Sequence, residues 1–119
     1  MIFIPRKLIK SFSFACKGLK TVICSQQNFQ VHIAVACVVI ASGVFFKLTA
    51  GEWCLIVLTI TLVLAMETLN TAIEKLVDFI SPGFHPQAGA VKDISAAAVL
   101  ITAIAAVIIG LIIFLPKLL

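Results

Sequence analysis

Three apolar runs set the layout of this 119-residue chain. The first, from about Phe29 to Phe46, is interrupted only by Gln30 and His32. The second opens at Trp53 with fourteen uncharged residues to Met66, then continues at helical period through E-T-L-N-T-A-I-E-K-L-V-D to about Ile80. The third, Ile94 to Leu115, has 22 residues without a charge, and Pro116 and Lys117 close it. About 20 residues of helix cross the hydrocarbon core of a bilayer, so each run is long enough to span it. The second is longer than a crossing needs, and its last turns should emerge at the interface. Two short connections, Lys47 to Glu52 and the turn-rich S-P-G-F-H-P-Q from Ser81 to Gln87, separate the runs.

A segment of different character precedes them. On a helical wheel centred on Lys10, the residues Arg6, Lys7, Lys17 and Lys20 span roughly 140°, while Leu8, Phe12, Ala15, Leu19 and Ile23 gather opposite. That pattern predicts an interfacial helix. Its cations have a simple use as snorkelling anchors on anionic lipid and a sharper one as contacts for polyphosphate. Phe14 lies on the basic face, where core packing does not explain it and where an aromatic ring can stack on a nucleotide base. The expected fold is therefore all-α integral membrane in a single domain, residues 1–119. It comprises an amphipathic surface helix at about 5–25 and transmembrane helices at about 29–47, 53–80 and 93–115.

Composition sharpens this picture by exclusion. With 62% hydrophobic residues, 12% charged residues and a mean hydropathy of +1.23, the chain is too apolar for a soluble domain of its length. The basic N-terminal region is followed by neither a compact apolar core nor a small-residue cleavage site, so the N-terminus is expected to stay on the protein. Arg6, Lys7, Lys10, Lys17 and Lys20 precede the first span with no acidic residue among them, which predicts a cytoplasmic N-terminus. Counting spans puts the Lys47 to Glu52 loop and the C-terminus outside. The Ser81 to Asp93 connection then returns to the cytoplasm, the compartment of ATP and free Mg²⁺. The net charge of +4 fits a lipid surface and polyphosphate, and no nucleic-acid partner is expected.

The candidate chemistry lies in the second run. At about 100° per residue, Glu67, Asn70, Glu74 and Asp78 share one face of a helix roughly 80° wide. Unpaired carboxylates at membrane depth are costly, so such a stripe marks a functional site or a water-filled cavity. Oxygen ligands at this spacing suit Mg²⁺, which takes one or two carboxylates together with substrate phosphates. A carboxylate not committed to metal can serve as base for a hydroxyl nucleophile, and phosphoryl transfer needs both, plus cations on the phosphates. Lys92 and Asp93 supply a cation and another carboxylate on the same side of the membrane. The plainer alternative is that Glu74 and Asp78 are solvated interface residues and that Lys75 and Lys92 only snorkel. His32 is read as a polar contact inside the bundle. Cys16, Cys24, Cys37 and Cys54 match no zinc or redox spacing and read as free thiols. Neither G-x-x-x-x-G-K-[ST] nor G-x-G-x-x-G occurs, so a nucleotide would be held by carboxylate-bound metal and scattered cations.

The segments E-T-L-N-T-A-I-E-K-L-V-D, F-H-P and V-K-D-I-S-A-A-A-V-L, with A-C-K-G-L-K and N-F-Q-V-H upstream, resemble the bacterial membrane-integral diacylglycerol kinase and undecaprenol kinase family over nearly the whole chain. The resemblance implies a homotrimeric bundle with active sites between neighbouring protomers, moving the γ-phosphoryl group of MgATP to a membrane lipid alcohol at the bacterial plasma membrane. It makes Glu67 the catalytic base, Asn70 its polar neighbour and Glu74 a metal ligand. Lys92 and Asp93 fall on the nucleotide-binding pair, and Gly83, Phe84 and His85 on the loop that approaches ATP. Lys7 and Phe14 fall where the family contacts nucleotide with an arginine and an aromatic, here without a tyrosine hydroxyl. The family's second metal-binding glutamate is Gln26 in this chain, and a nearby basic position is Gln30. A neutral amide donates less charge to Mg²⁺, so weaker metal binding and lower activity are expected. The proline directly after His85 resembles the undecaprenol branch more than the diacylglycerol branch. Two other classes compete: an impaired homologue that binds lipid or nucleotide without turnover, and a small proton-coupled transporter with Glu67 as carrier.

Overall fold

The computed structural model describes residues 5–119 as four helices: α1 (Pro5–Ser25), α2 (Gln27–Phe45), α3 (Ala50–Ile80) and α4 (Pro86–Leu118). Helices α2, α3 and α4 are each long and apolar enough to cross a membrane. Helices α3 and α4 form an antiparallel hairpin and share the largest interface, α2 lies along α3, and α1 touches both α2 and α3. In α1 every side chain except Val22 is exposed, including Leu8, Ile9, Phe12 and Leu19.

Local chemistry sets the ends of these helices. The break between α1 and α2 falls at Gln26, whose extended backbone (φ −105°, ψ 110°) interrupts the helical run. The Gln30 side chain reaches back across it, its amide nitrogen donating to the Ile23 carbonyl at 2.8 Å and satisfying one of the carbonyls left over at the end of α1. Helix α2 ends as Lys47 adopts a left-handed conformation (φ 55°) and the Leu48 N–H bonds back to the Gly43 carbonyl at 3.1 Å. Thr49 and Glu52 then form a reciprocal capping box that starts α3 one turn earlier than the apolar run alone indicates. Helix α4 also outruns its apolar stretch. It begins at Pro86, capped by the His85 ring, because proline is pre-organised for the first helical position. At its other end it continues through Pro116 to Leu118, where the missing N–H costs only one bond of the final turn.

The apolar core sits at the α2–α3 loop end of the bundle. Leu48, Ile56 and Ile113 are buried there, with Val39, Trp53, Ile60, Ile109 and Phe114 packed against them. Lys117 closes that end by donating to Glu52 Oε2 at 2.9 Å. Gly43 is needed at the crossing of α2 and α3, because a Cβ there would stand 2.6 Å from the Trp53 ring and 3.0 Å from Leu48. Gly43→Ala is therefore expected to lower stability by about 1–3 kcal/mol through overpacking. The thermal midpoint in mild detergent reads the loss, and Trp53→Leu combined with Gly43→Ala should recover part of it.

Candidate active site

The inward stripe of α3 changes character along its length. Ile56 and Val63 are buried, and in the next two turns Glu67, Asn70 and Thr71 take their places. The same helical period that buries aliphatic side chains at one end thus buries a carboxylate, an amide and a hydroxyl at the other. Glu67 is only 2% exposed. Thr71 turns its hydroxyl back to the Glu67 carbonyl at 3.0 Å, which satisfies that hydroxyl within its own helix. Asn70 donates from Nδ2 to Glu74 Oε1 at 3.2 Å, and its own buried Oδ1 has no hydrogen-bond partner among the described residues. Ser95 on α4 is likewise buried with Oγ unpartnered.

From the neighbouring helix, His32 brings Nε2 to 3.9 Å from Glu67 Oε2. It belongs to the inward stripe of α2 that includes Phe29, Ala36 and Gly43, so the expected polar contact inside the bundle is made to the deepest carboxylate of the chain.

Farther along α3 the stripe opens. Glu74 is half-buried and Asp78 exposed, and Asp78 pairs with Lys92 of α4. The pair clamps the mouth of the hairpin over a pocket of about 250 Å³ lined by Asp78, Gly83, Phe84, His85, Gly89 and Lys92. Its sides combine one ion pair with backbone-rich loop, a lining suited to a small polar or charged group. An adjoining, larger space of about 600 Å³ is lined mainly by Ile73, Leu76, Val77, Ile80 and Val91. His85 borders both, with Nδ1 accepting from the Gln87 N–H at 3.1 Å, so its ring orientation is fixed by the cap it provides.

The hairpin and α2 thus gather Glu67, Asn70, Glu74, His32, Asp78, Lys92, Gly83, Phe84 and His85 along one side of the bundle. Other candidates stand apart. Asp93 is exposed and rotated by about 100° from Lys92 along the helix, so the two neighbours do not act on one point within a single chain. Lys7 and Phe14 are exposed on α1, seven residues apart and so on one face, and no hydrogen bond or ion pair among the described residues ties either to the stripe. Gln26 sits half-buried at the α1–α2 break, with its side chain uncommitted to capping. Among the described residues no three His, Cys, Asp or Glu side chains converge as a metal cage. Ser95 and the Asp78–Lys92 pair escape the sequence reading. Ser95 is one polar residue at the head of an alanine run, and the ion pair depends on the register of the hairpin.

This is a multi-pass helical membrane protein with a buried acidic site at one end of its bundle. The prokaryotic diacylglycerol kinase family model matches residues 13–114, and the chain belongs to that family of lipid kinases, phosphotransferases with an alcohol acceptor. It is 45% identical over 112 residues to the undecaprenol kinase of Bacillus subtilis, spanning 94% of this chain and 91% of that one. Identity to the diacylglycerol kinase of a Synechocystis species is 39% over 113 residues, covering 94% of this chain and 65% of the relative. The Escherichia coli diacylglycerol kinase is 31% identical over 102 residues, 86% of this chain and 84% of its own length.

Asn70→Asp is expected to destabilise the hairpin, because it replaces the donor 3.2 Å from Glu74 with a second carboxylate. A loss of about 1–3 kcal/mol is the outcome expected from thermal unfolding in detergent.

Proposed function

We propose that this lipid kinase transfers the γ-phosphoryl group of MgATP to the terminal hydroxyl of undecaprenol, with Glu67 as the general base. The observation that carries the reading is the 2% exposure of Glu67 on the same helical stripe as half-buried Glu74. Their separation of seven positions corresponds to about 10 Å along the helix. That spacing lets Glu67 face the lipid hydroxyl while Glu74 faces the polyphosphate. The hydroxyl proton passes to the Glu67 carboxylate as its oxygen attacks the γ-phosphorus. The bond to the bridging oxygen of ADP then breaks, and ADP leaves with the electron pair. Positioning and charge neutralisation do most of the work in such a transfer.

The donor set fits Mg²⁺ by its chemistry. Glu74 is hydrogen-bonded by a neutral amide rather than paired with a cation, and Gln26 offers an amide oxygen. Bound there, Mg²⁺ would neutralise phosphate charge. Asn70 orients Glu74. Lys92 leaves Asp78 for the phosphates, with Asp93 and the Gly83–His85 loop toward the nucleotide, and Lys7 and Phe14 reach it from α1. The large exposed residues of α1 support a helix lying on the bilayer surface, and the basic residues before the first span support a cytoplasmic site at the plasma membrane. A homotrimer supplies what one chain lacks: a neighbouring protomer brings its own α1 residues or Asp93 to this stripe, packed through small residues such as Ala96, Ala97 and Ala105 of α4. Undecaprenol is favoured over diacylglycerol by the His85-Pro86 loop and by the relative of that name.

The test is transfer of labelled γ-phosphate from MgATP to undecaprenol and to diacylglycerol in mixed micelles. Labelling of undecaprenol in preference, reduced at least 10³-fold in Glu67→Gln, is the expected result. Labelling of neither lipid, with nucleotide still bound, would support the second reading that Gln26 motivates, a homologue that has lost turnover. A separate expectation concerns the amide itself. Gln26→Glu should lower the Mg²⁺ concentration at half-maximal rate several-fold, and an unchanged Mg²⁺ dependence would remove Gln26 from the metal site.

A further inference from the structure

Glu67 presents a physical problem that its own helix does not solve. A carboxylate at 2% exposure in a bundle of Ile, Val, Leu and Ala loses most of its hydration. Asn70 turns its donor to Glu74, and the Thr71 hydroxyl is spent on a backbone carbonyl. The charged groups near the site from other elements are equally committed or remote: Lys92 of α4 pairs with Asp78, and α4 carries no ionisable side chain from Ile94 to Leu115. Among the described residues, the group left to face it is the His32 ring of α2, with Nε2 at 3.9 Å from Oε2.

The surroundings of the ring direct it to that role. His32 borders a gap of about 60 Å³ whose other walls include Ala36, Val39, Ile60 and Val63, all apolar. No wall of that gap offers the imidazole a competing acceptor. The remaining distance to Glu67 is one that catalytic hydrogen bonds commonly close only when substrate is bound. His32 is partly exposed at 25% of its side chain, so it links the enclosed carboxylate to the edge of the bundle.

We infer that His32 is a positioning residue for phosphoryl transfer: its imidazole N–H holds the Glu67 carboxylate oriented toward the acceptor hydroxyl. The inference rests on Glu67 acting as the base. Replacing the ring by an apolar side chain leaves the carboxylate misoriented, while an amide of similar reach keeps one donor in place. The effect belongs to turnover, because the ring acts on the reaction through the Glu67 carboxylate.

The test compares His32→Phe and His32→Gln with the native chain and with Glu67→Gln in the mixed-micelle kinase assay. His32→Phe is expected to lower kcat by 30-fold or more with KM for ATP within twofold, and His32→Gln to restore kcat to within about fivefold of native. In the Glu67→Gln background, His32→Phe should cost nothing further, because the group it positions is already gone. If His32→Phe does not fold, His32→Leu takes its place in every arm. Native turnover in His32→Phe while Glu67→Gln is inactive would overturn the inference and leave the base intact. Full activity in Glu67→Gln would overturn both. A further loss in the double variant equal to that in the single one would also overturn the inference, since it would mark His32 as a general packing residue.

Discussion

Burial of the Glu67 carboxylate is the constraint around which the bundle is arranged. A membrane helix can carry such a group only if it faces the protein interior and if something rigid holds that interior together. The chain separates the two requirements along its length. At the α2–α3 loop end, Leu48, Ile56 and Ile113 pack in an apolar core, Gly43 admits the Trp53 ring, and Lys117 closes on Glu52. At the other end the inward positions go to Glu67, Asn70, Thr71 and Ser95. The well-packed half fixes the register of α2, α3 and α4, and that register brings His32 and Glu67 together.

The polar half is held less completely. Asn70 Oδ1 and Ser95 Oγ are buried without partners, each at a cost of about 1–3 kcal/mol relative to a satisfied group. Stability alone would favour apolar residues at both positions. Retaining them makes sense where a hydroxyl or phosphate oxygen arrives during turnover, since the orphaned groups then gain partners that the resting protein lacks.

Much of this was legible in the sequence, because membrane helices and amphipathic stripes depend on residue order alone. The 3.6-residue period puts Glu67, Asn70 and Glu74 on one face wherever the helix is placed, and lipid solvent makes the length of each apolar run meaningful. What remained hidden depends on how helices meet. The His32–Glu67 approach joins residues 35 positions apart on different helices, and the Asp78–Lys92 pair depends on where the hairpin turns. The helix starts were obscured by polar chemistry. Thr49 with Glu52 and His85 with Pro86 extend α3 and α4 past their apolar limits, into segments that hydropathy reads as loop.

The five acidic residues separate by their partners in a way that bears on the metal. Glu52 is tied to the Thr49 N–H and Lys117, Asp78 to Lys92, and Glu67 faces His32. Asp93 is exposed to solvent. Glu74 alone combines partial burial with a neutral partner: among the described residues, no cation lies within ion-pair distance and its hydrogen bond comes from an amide. A half-buried carboxylate so placed is stabilised by any cation that can reach it, and the chain's own lysines do not. On the proposed site, where Gln26 stands beside Glu74, such a cation would receive one full protein charge and take the rest from its substrate. Phosphate oxygens would supply that charge, so metal and nucleotide are expected to bind to this protein together rather than in sequence.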